Sequence, residues 1–397
     1  MRAFSLMFAL GALVCLPAFA ADAPSTPDLP AAIPATAYFP VLAYDAAPDS
    51  APLQVPVASN HPLDVAYPGV TRGIIVIHDR GRDANAVVAD ISALAGSANS
   101  TTMIVAPQFL LQSDIARVAS HLPDHGRVFA TWDAAGWARG DDSHAVPGKQ
   151  GVSSFTVVDL MLMYLGDRRR FPRLKTVVIA GYGTGADFVQ RYAAINEAAD
   201  AVSKENIDLR YAVAGATSFL YLTPLRGAAA DSAKPVTAAP VAPPTATPAD
   251  AAKDTTKEAG ADAATKDAAK PDTPVCPDVN AWPYGLDKLN PYARHIGANK
   301  AKTDYAEQFI SYLNAPKAEG ISDTGCAAMA QGVDSSARAA RYKAYLLSLY
   351  GDVAARTQSF ASDSDMHDDA VGLFGSSCGM AVLFGDAICA PAFGGGG

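Results

Sequence analysis

Histidine and cysteine are scarce in this chain, seven and five among 397 residues. No two cysteines stand in a C-x-x-C pair, and the histidines show no ligand spacing, so no metal and no other cofactor is expected. Excess positive charge is missing too: a net charge of -9 argues against nucleic acid as the partner. After the N-terminal apolar run no second one of ~20 residues follows, which excludes a stable membrane span in the rest of the chain.

That first run carries an address. Arg2 precedes apolar residues 4–16 and Ala-Phe-Ala at 18–20, the pattern of a secretory signal peptide over residues 1–20, and Val14 before Cys15 argues against a lipid-modified cysteine. The expected location is therefore exported, periplasmic or secreted. Cys276, Cys326, Cys378 and Cys389 remain after cleavage. An oxidising compartment favours disulfides among them, and three pairings are open.

Residues 21–37, rich in Ala and Pro, read as a flexible leader. Beyond them apolar β-rich runs at 73–78, 102–106, 127–132, 176–180 and 209–216 alternate with helical patterns at 89–98, 155–167 and 186–198. Such alternation predicts an α/β fold with a mostly parallel sheet flanked by helices, whose sites collect at the carboxyl ends of the strands. Residues 38–226 form its first part. Residues 227–275, almost all Ala, Pro, Thr, Lys and Asp, bury too little apolar area to offset ordering and read as a disordered insertion. The fold resumes over 276–393, with a helix at 336–349, a strand near 354–361 and a last helix at 377–385. A flexible glycine tail occupies 394–397.

One stretch raises the question of chemistry. TVVIAGYGTGADFVQRY, residues 176–192, runs from a strand through a glycine-dense turn into an amphipathic helix. Two other points stand out. His78 ends the first strong strand, before Asp79 and Arg80, and His367 lies in a polar loop between the last strand and the last helix.

The blocks HDRGRDAN (78–85), APQF (106–109), TWDAAGWARGDDS (131–143), GYGTGADFVQRYA (181–193) and MHDDAVGLFGSSCGMAVLFG (366–385), in this order, resemble an exported branch of the α/β-hydrolase superfamily with an elbow of the form G-H-S-A-G-G. The resemblance implies an α/β-hydrolase fold and an esterase-like ancestry. It places the nucleophile on Gly183, so the serine is missing. It assigns the general base to His367 and the oxyanion-hole donors to backbone N–H groups near Arg80 and at Thr184. The expected acid falls after Leu313, where Asn314, Ala315, Pro316 and Lys317 stand; Glu319 and Asp323 come later. Cys276 and Cys326 flank strands that precede this loop, which makes them the favoured disulfide pair.

A pocket is expected among the turns after 78, 106, 132 and 182, with His78, Asp79, Phe109, Trp132, Trp137 and Tyr182. There the aromatics form a wall or else pack in the core, and His78 shapes the turn. Ser153, Ser154 and Ser218 read as caps or turn residues rather than displaced nucleophiles. Glycine removes the Oγ and relieves the strain of the elbow. The leading expectation is thus an exported pseudoenzyme that binds a small molecule or an envelope partner. The alternative is an ester hydrolase with an unconventional nucleophile or activated water, and a third reading gives the functional contact to the insertion.

Overall fold

The computed structural model describes residues 37–43, 45–118, 128–224, 276, 278–317, 323–385 and 389. The signal peptide, all of the leader but Ala37, the insertion at 227–275 and the glycine tail lie outside the described residues.

Eight strands form one sheet: β1 (Ala37–Val41), β2 (Leu53–Ser59), β3 (Arg72–Ile77), β4 (Thr102–Pro107), β5 (Thr176–Tyr182), β6 (Asp208–Ala214), β7 (Phe309–Leu313) and β8 (Gln358–Ala361). Their spatial order is β1-β2-β4-β3-β5-β6-β7-β8. β2 runs antiparallel to both of its neighbours, and every other pair is parallel. A sheet of this kind needs both faces covered. Alternate residues of β3 divide accordingly, Ile75 and Ile77 joining one core cluster, Ile74 and Val76 the other. The first cluster takes α2 (Ser154–Gly166), α3 (Thr184–Ile195) and α4 (Ser335–Tyr350) through Phe155, Phe188, Tyr192 and Tyr342. The second takes α1 (Ala84–Ala95), α5 (Ala370–Gly375) and α6 (Ser377–Phe384) through Val88, Ile91, Phe374 and Leu383.

The expected α/β architecture is present, with three local corrections. The helix expected over 89–98 begins at Ala84, because the Asp83 carboxylate accepts from the Ala86 N–H and caps it, and it ends at Gly96, whose φ of 51° is cheap only without a Cβ. The run expected at 127–132 adds no full strand to the main sheet: Phe129 makes one parallel bridge to Gln54 of β2, and Thr131–Trp132 pairs with Leu110–Leu111 in a separate two-stranded ribbon. There the Trp132 indole N–H finds its acceptor in the Asp141 carbonyl. Of the strand expected over 354–361 only β8 is extended, for Asp352–Thr357 is helical up to Thr357, whose hydroxyl donates to the Ala306 and Val353 carbonyls. Cys276 pairs with Cys326 and Cys378 with Cys389, at Cα separations of 5.8 and 5.2 Å, inside the usual span. Among the described residues no helix is long and apolar enough to cross a membrane.

A buried carboxylate ties α2 to α3. Asp159 accepts from the Tyr192 hydroxyl at 2.6 Å and from the Tyr292 hydroxyl at 2.7 Å. Burial raises its pKa to about 6, against the lowering effect of the two donors. A carboxyl raised by folding contributes stability below its ordinary pKa and loses it as pH climbs through the raised one. Measured against Asp159→Asn, the wild type should therefore lose relative stability between about pH 4 and about pH 6.5. Some two pKa units at ~1.4 kcal/mol each give on the order of 3 kcal/mol. Denaturant midpoints of both proteins across this range measure it, and a flat or rising difference would contradict the assignment.

Candidate functional site

β5 delivers the elbow. Gly183 stands at its end with φ 59° and ψ -119°, a conformation hostile to L side chains, and α3 begins at the next residue. The outer glycines of G-x-G-x-G have steric causes. A Cβ on Gly181 would lie 2.3 Å from the Gly185 carbonyl oxygen, and one on Gly185 would lie 2.4 Å from that of Ile77.

The turn after β3 faces this elbow. Asp79 Oδ1 accepts the Thr184 backbone N–H at 2.8 Å, and a Cβ on Gly183 would lie 2.7 Å from that same oxygen. The N–H that the resemblance assigns to an oxyanion is thus engaged by a carboxylate of the chain itself. That carboxylate is held from behind. The Asp79 carbonyl accepts from the Arg82 N–H and from His78 Nδ1, and the Arg82 guanidinium reaches the Arg80 carbonyl. Arg82 itself has a φ of 53°, and its side chain makes a two-pronged pair with Asp114 at 3.0 and 3.1 Å, both groups buried. A buried fork of this kind fixes position because breaking it strands a charge in the interior.

His78 belongs to the scaffold. It is buried, and Phe109 N–H can only donate to Nε2 at 3.1 Å, so Nδ1 carries the proton and donates to the Asp79 carbonyl at 2.9 Å. Burial, reinforced by the charge of Arg82, lowers its pKa to about 4. Phe109, Trp132 and Trp137 are buried in the core instead of walling a cleft: Phe109 stacks on Trp137 at 5.6 Å and meets Trp132 edge-on at 5.2 Å. Of the two expectations for these aromatics, a cleft wall or core packing, their burial and ring contacts are those of packing. The reason is local: Phe109 and Trp132 belong to the ribbon and its approach, which lie against the α2–α3 side of the sheet.

Tyr182 is half-buried, and its hydroxyl donates to the Asp368 carbonyl at 2.8 Å, which ties the loop carrying His367 to the elbow strand. His367 itself is exposed and, among the described residues, its ring has no hydrogen bond or ion pair. The position after β7 offers it no acid. Asn314 follows Leu313 and donates its backbone N–H to Ala361, while Asp323 accepts from the Tyr284 hydroxyl at 2.8 Å and from the Gly325 N–H. Glu319 lies outside the described residues. The three serines are all engaged: Ser153 caps α2, Ser154 donates to the Trp137 carbonyl, and Ser218 bonds Asp187 and Arg191.

Asp187 and Arg191 escaped the sequence reading, although their spacing puts them on one face of α3. Asp187 is buried and accepts four bonds, from the N–H and hydroxyl of Thr217 and of Ser218. Arg191 donates to Ser218 and to the Pro283 and Ala138 carbonyls, and lies 3.8 Å from Asp187. Both line a cavity of about 220 Å³ beside the elbow, together with Thr184, Arg80, Arg139 and Tyr284.

A serine placed at position 183 tests this geometry. Gly183→Ser should lower stability by ~1–3 kcal/mol through backbone strain, and the new Cβ should also displace Asp79. In the background Asp79→Ala the second contribution vanishes, so the serine should cost less there by more than the ~0.5 kcal/mol expected of independent sites. Denaturation of the four proteins gives the cycle, and strict additivity would remove the contact between Asp79 and the elbow.

No protein-family model and no curated protein matches the sequence. Among solved structures, the chain is similar to poly(aspartic acid) hydrolase-1 from Sphingomonas sp. KT-1, at 17% identity over 85% of this chain and 94% of that one, with a TM-score of 0.49. It is also similar to a poly(3-hydroxybutyrate) depolymerase from Bordetella parapertussis, at 12% identity over 85% and 87%, with a TM-score of 0.48. A Pyrococcus furiosus esterase follows at 9% identity over 85% and 86%, with a TM-score of 0.38. What identifies the architecture is the chain's own order of strands, its antiparallel second strand and the glycine-flanked elbow between β5 and α3, and by these features the chain has the α/β-hydrolase fold.

Proposed function

We propose that this is an exported α/β-hydrolase-fold protein that lacks serine-hydrolase activity and binds a ligand or partner in the cell envelope. One observation carries the reading: at the elbow there is no Oγ, and the Thr184 N–H that would stabilise an oxyanion already holds the Asp79 carboxylate. A developing oxyanion would have to displace a resident negative charge. The free state of His367 supports the same conclusion, since a base without an orienting acid recovers little of the activity of a complete triad. Export is supported by the N-terminal run and by the two disulfides, which persist in oxidising compartments.

The position of Asp79 favours a second reading, in which this carboxylate activates a water for ester hydrolysis. The two are separable. On the first reading a fluorophosphonate probe labels nothing, and p-nitrophenyl acetate turnover equals the uncatalysed background in the wild type, in Asp79→Asn and in His367→Ala. Turnover that exceeds background in the wild type and falls by ten-fold or more in Asp79→Asn would replace the first reading by the second.

A further inference from the structure

The cavity beside the elbow has a charge pattern that selects a ligand class. Three guanidiniums, Arg80, Arg139 and Arg191, and two carboxylates, Asp187 and Asp323, line it, and a third carboxylate, Asp79, stands on the Thr184 N–H of the same wall. Arg191, Asp187 and Asp323 are engaged with the protein through the bonds described above. Arg80 and Arg139 are different: among the described residues neither guanidinium has a hydrogen bond or an ion pair. Trp282 and Asn290 use only the backbone carbonyl of Arg139. Burial lowers the pKa of Arg191, and the charge of Asp187 opposes this.

We infer that this cavity is a binding site for a small organic monocarboxylate, held by Arg80 and Arg139. The planar guanidinium fork matches a carboxylate in two-pronged fashion. A bound carboxylate gives the Arg80 and Arg139 guanidiniums the partner that, among the described residues, the protein does not provide. Ala134, Ala135, Ala138 and Pro283 give the cavity an apolar share suited to a short organic body. Its volume of about 220 Å³ lies below the ~300–1,000 Å³ of drug-sized sites, which limits the occupant to a small molecule or the end of a longer one.

The inference names the ligand class for the binding reading above, and its test is independent of hydrolysis. Titration calorimetry of the full mature chain with butyrate and benzoate should give saturable binding. Butyramide and benzamide, equal in shape and uncharged, should bind at least ten-fold more weakly. Arg139→Gln should weaken carboxylate binding at least ten-fold and Arg80→Gln at least three-fold, with unchanged circular dichroism and melting temperature. Absence of saturable carboxylate binding, equal binding of the amides, wild-type affinity in both variants, or tighter binding of inorganic phosphate than of either carboxylate would each overturn the inference. Ester turnover measured on the same samples reports separately on the loss of hydrolase activity: turnover with intact, arginine-dependent binding would discard that reading and keep this one.

Discussion

The first turn of α3 lies directly on the backbone at the end of β3. A Cβ on Gly185 would come within 2.4 Å of the Ile77 carbonyl oxygen and 2.7 Å of that of His78, so the helix after the elbow reaches this position only without a side chain there. Gly181 meets Gly185 in the same manner. This contact sets the distance between the β3 turn and the elbow, and it brings Asp79 within hydrogen-bond reach of Thr184. The two outer glycines are thus required by the packing of α3 on the sheet, and the central one by its positive φ and the closeness of Asp79.

The β3 turn is built to stay where it is. Arg82 in a left-handed conformation, its buried pair with Asp114, and His78 bonded through both ring nitrogens fix the peptide that presents Asp79. Satisfied buried polar groups rigidify because any departure leaves a donor or a charge unpaired in a low dielectric. A similar network stands on the other side of the elbow. Gln190 bonds the Tyr305 and Tyr342 hydroxyls and the Leu220 N–H, and Asp187 gathers Thr217 and Ser218. The elbow edge of the sheet is therefore firmly organised, and among the described residues the Arg80 and Arg139 guanidiniums at the neighbouring cavity have no hydrogen bond or ion pair.

Much of this was legible in the sequence. The β-rich runs at 73–78, 102–106, 176–180 and 209–216 became β3, β4, β5 and β6, because strands buried on both faces write themselves as continuous apolar stretches. β1 and β2 were not distinguished as strands; each contains a proline, Pro40 or Pro56, which weakens the local strand signal. The run at 127–132 has the composition of a strand, yet its described residues supply one bridge to β2 at Phe129, a two-residue ribbon and a packed indole. Composition reports how much surface a segment must bury and is silent on which neighbour buries it.

The sequence by itself determined the alternation of strands and helices, the glycine-dense elbow with Gly183 at its centre and the supply of cysteines, since each follows from periodicity, backbone freedom or residue identity along a short stretch. Tertiary structure alone decided that Asp79 sits on the Thr184 N–H, that Phe109, Trp132 and Trp137 pack inward, and that Arg80 and Arg139 face one cavity. These depend on residues separated by tens to a hundred positions, and no local pattern encodes the meeting of side chains from different crossovers; only the packed sheet, with β3 beside β5, brings them within a few ångströms.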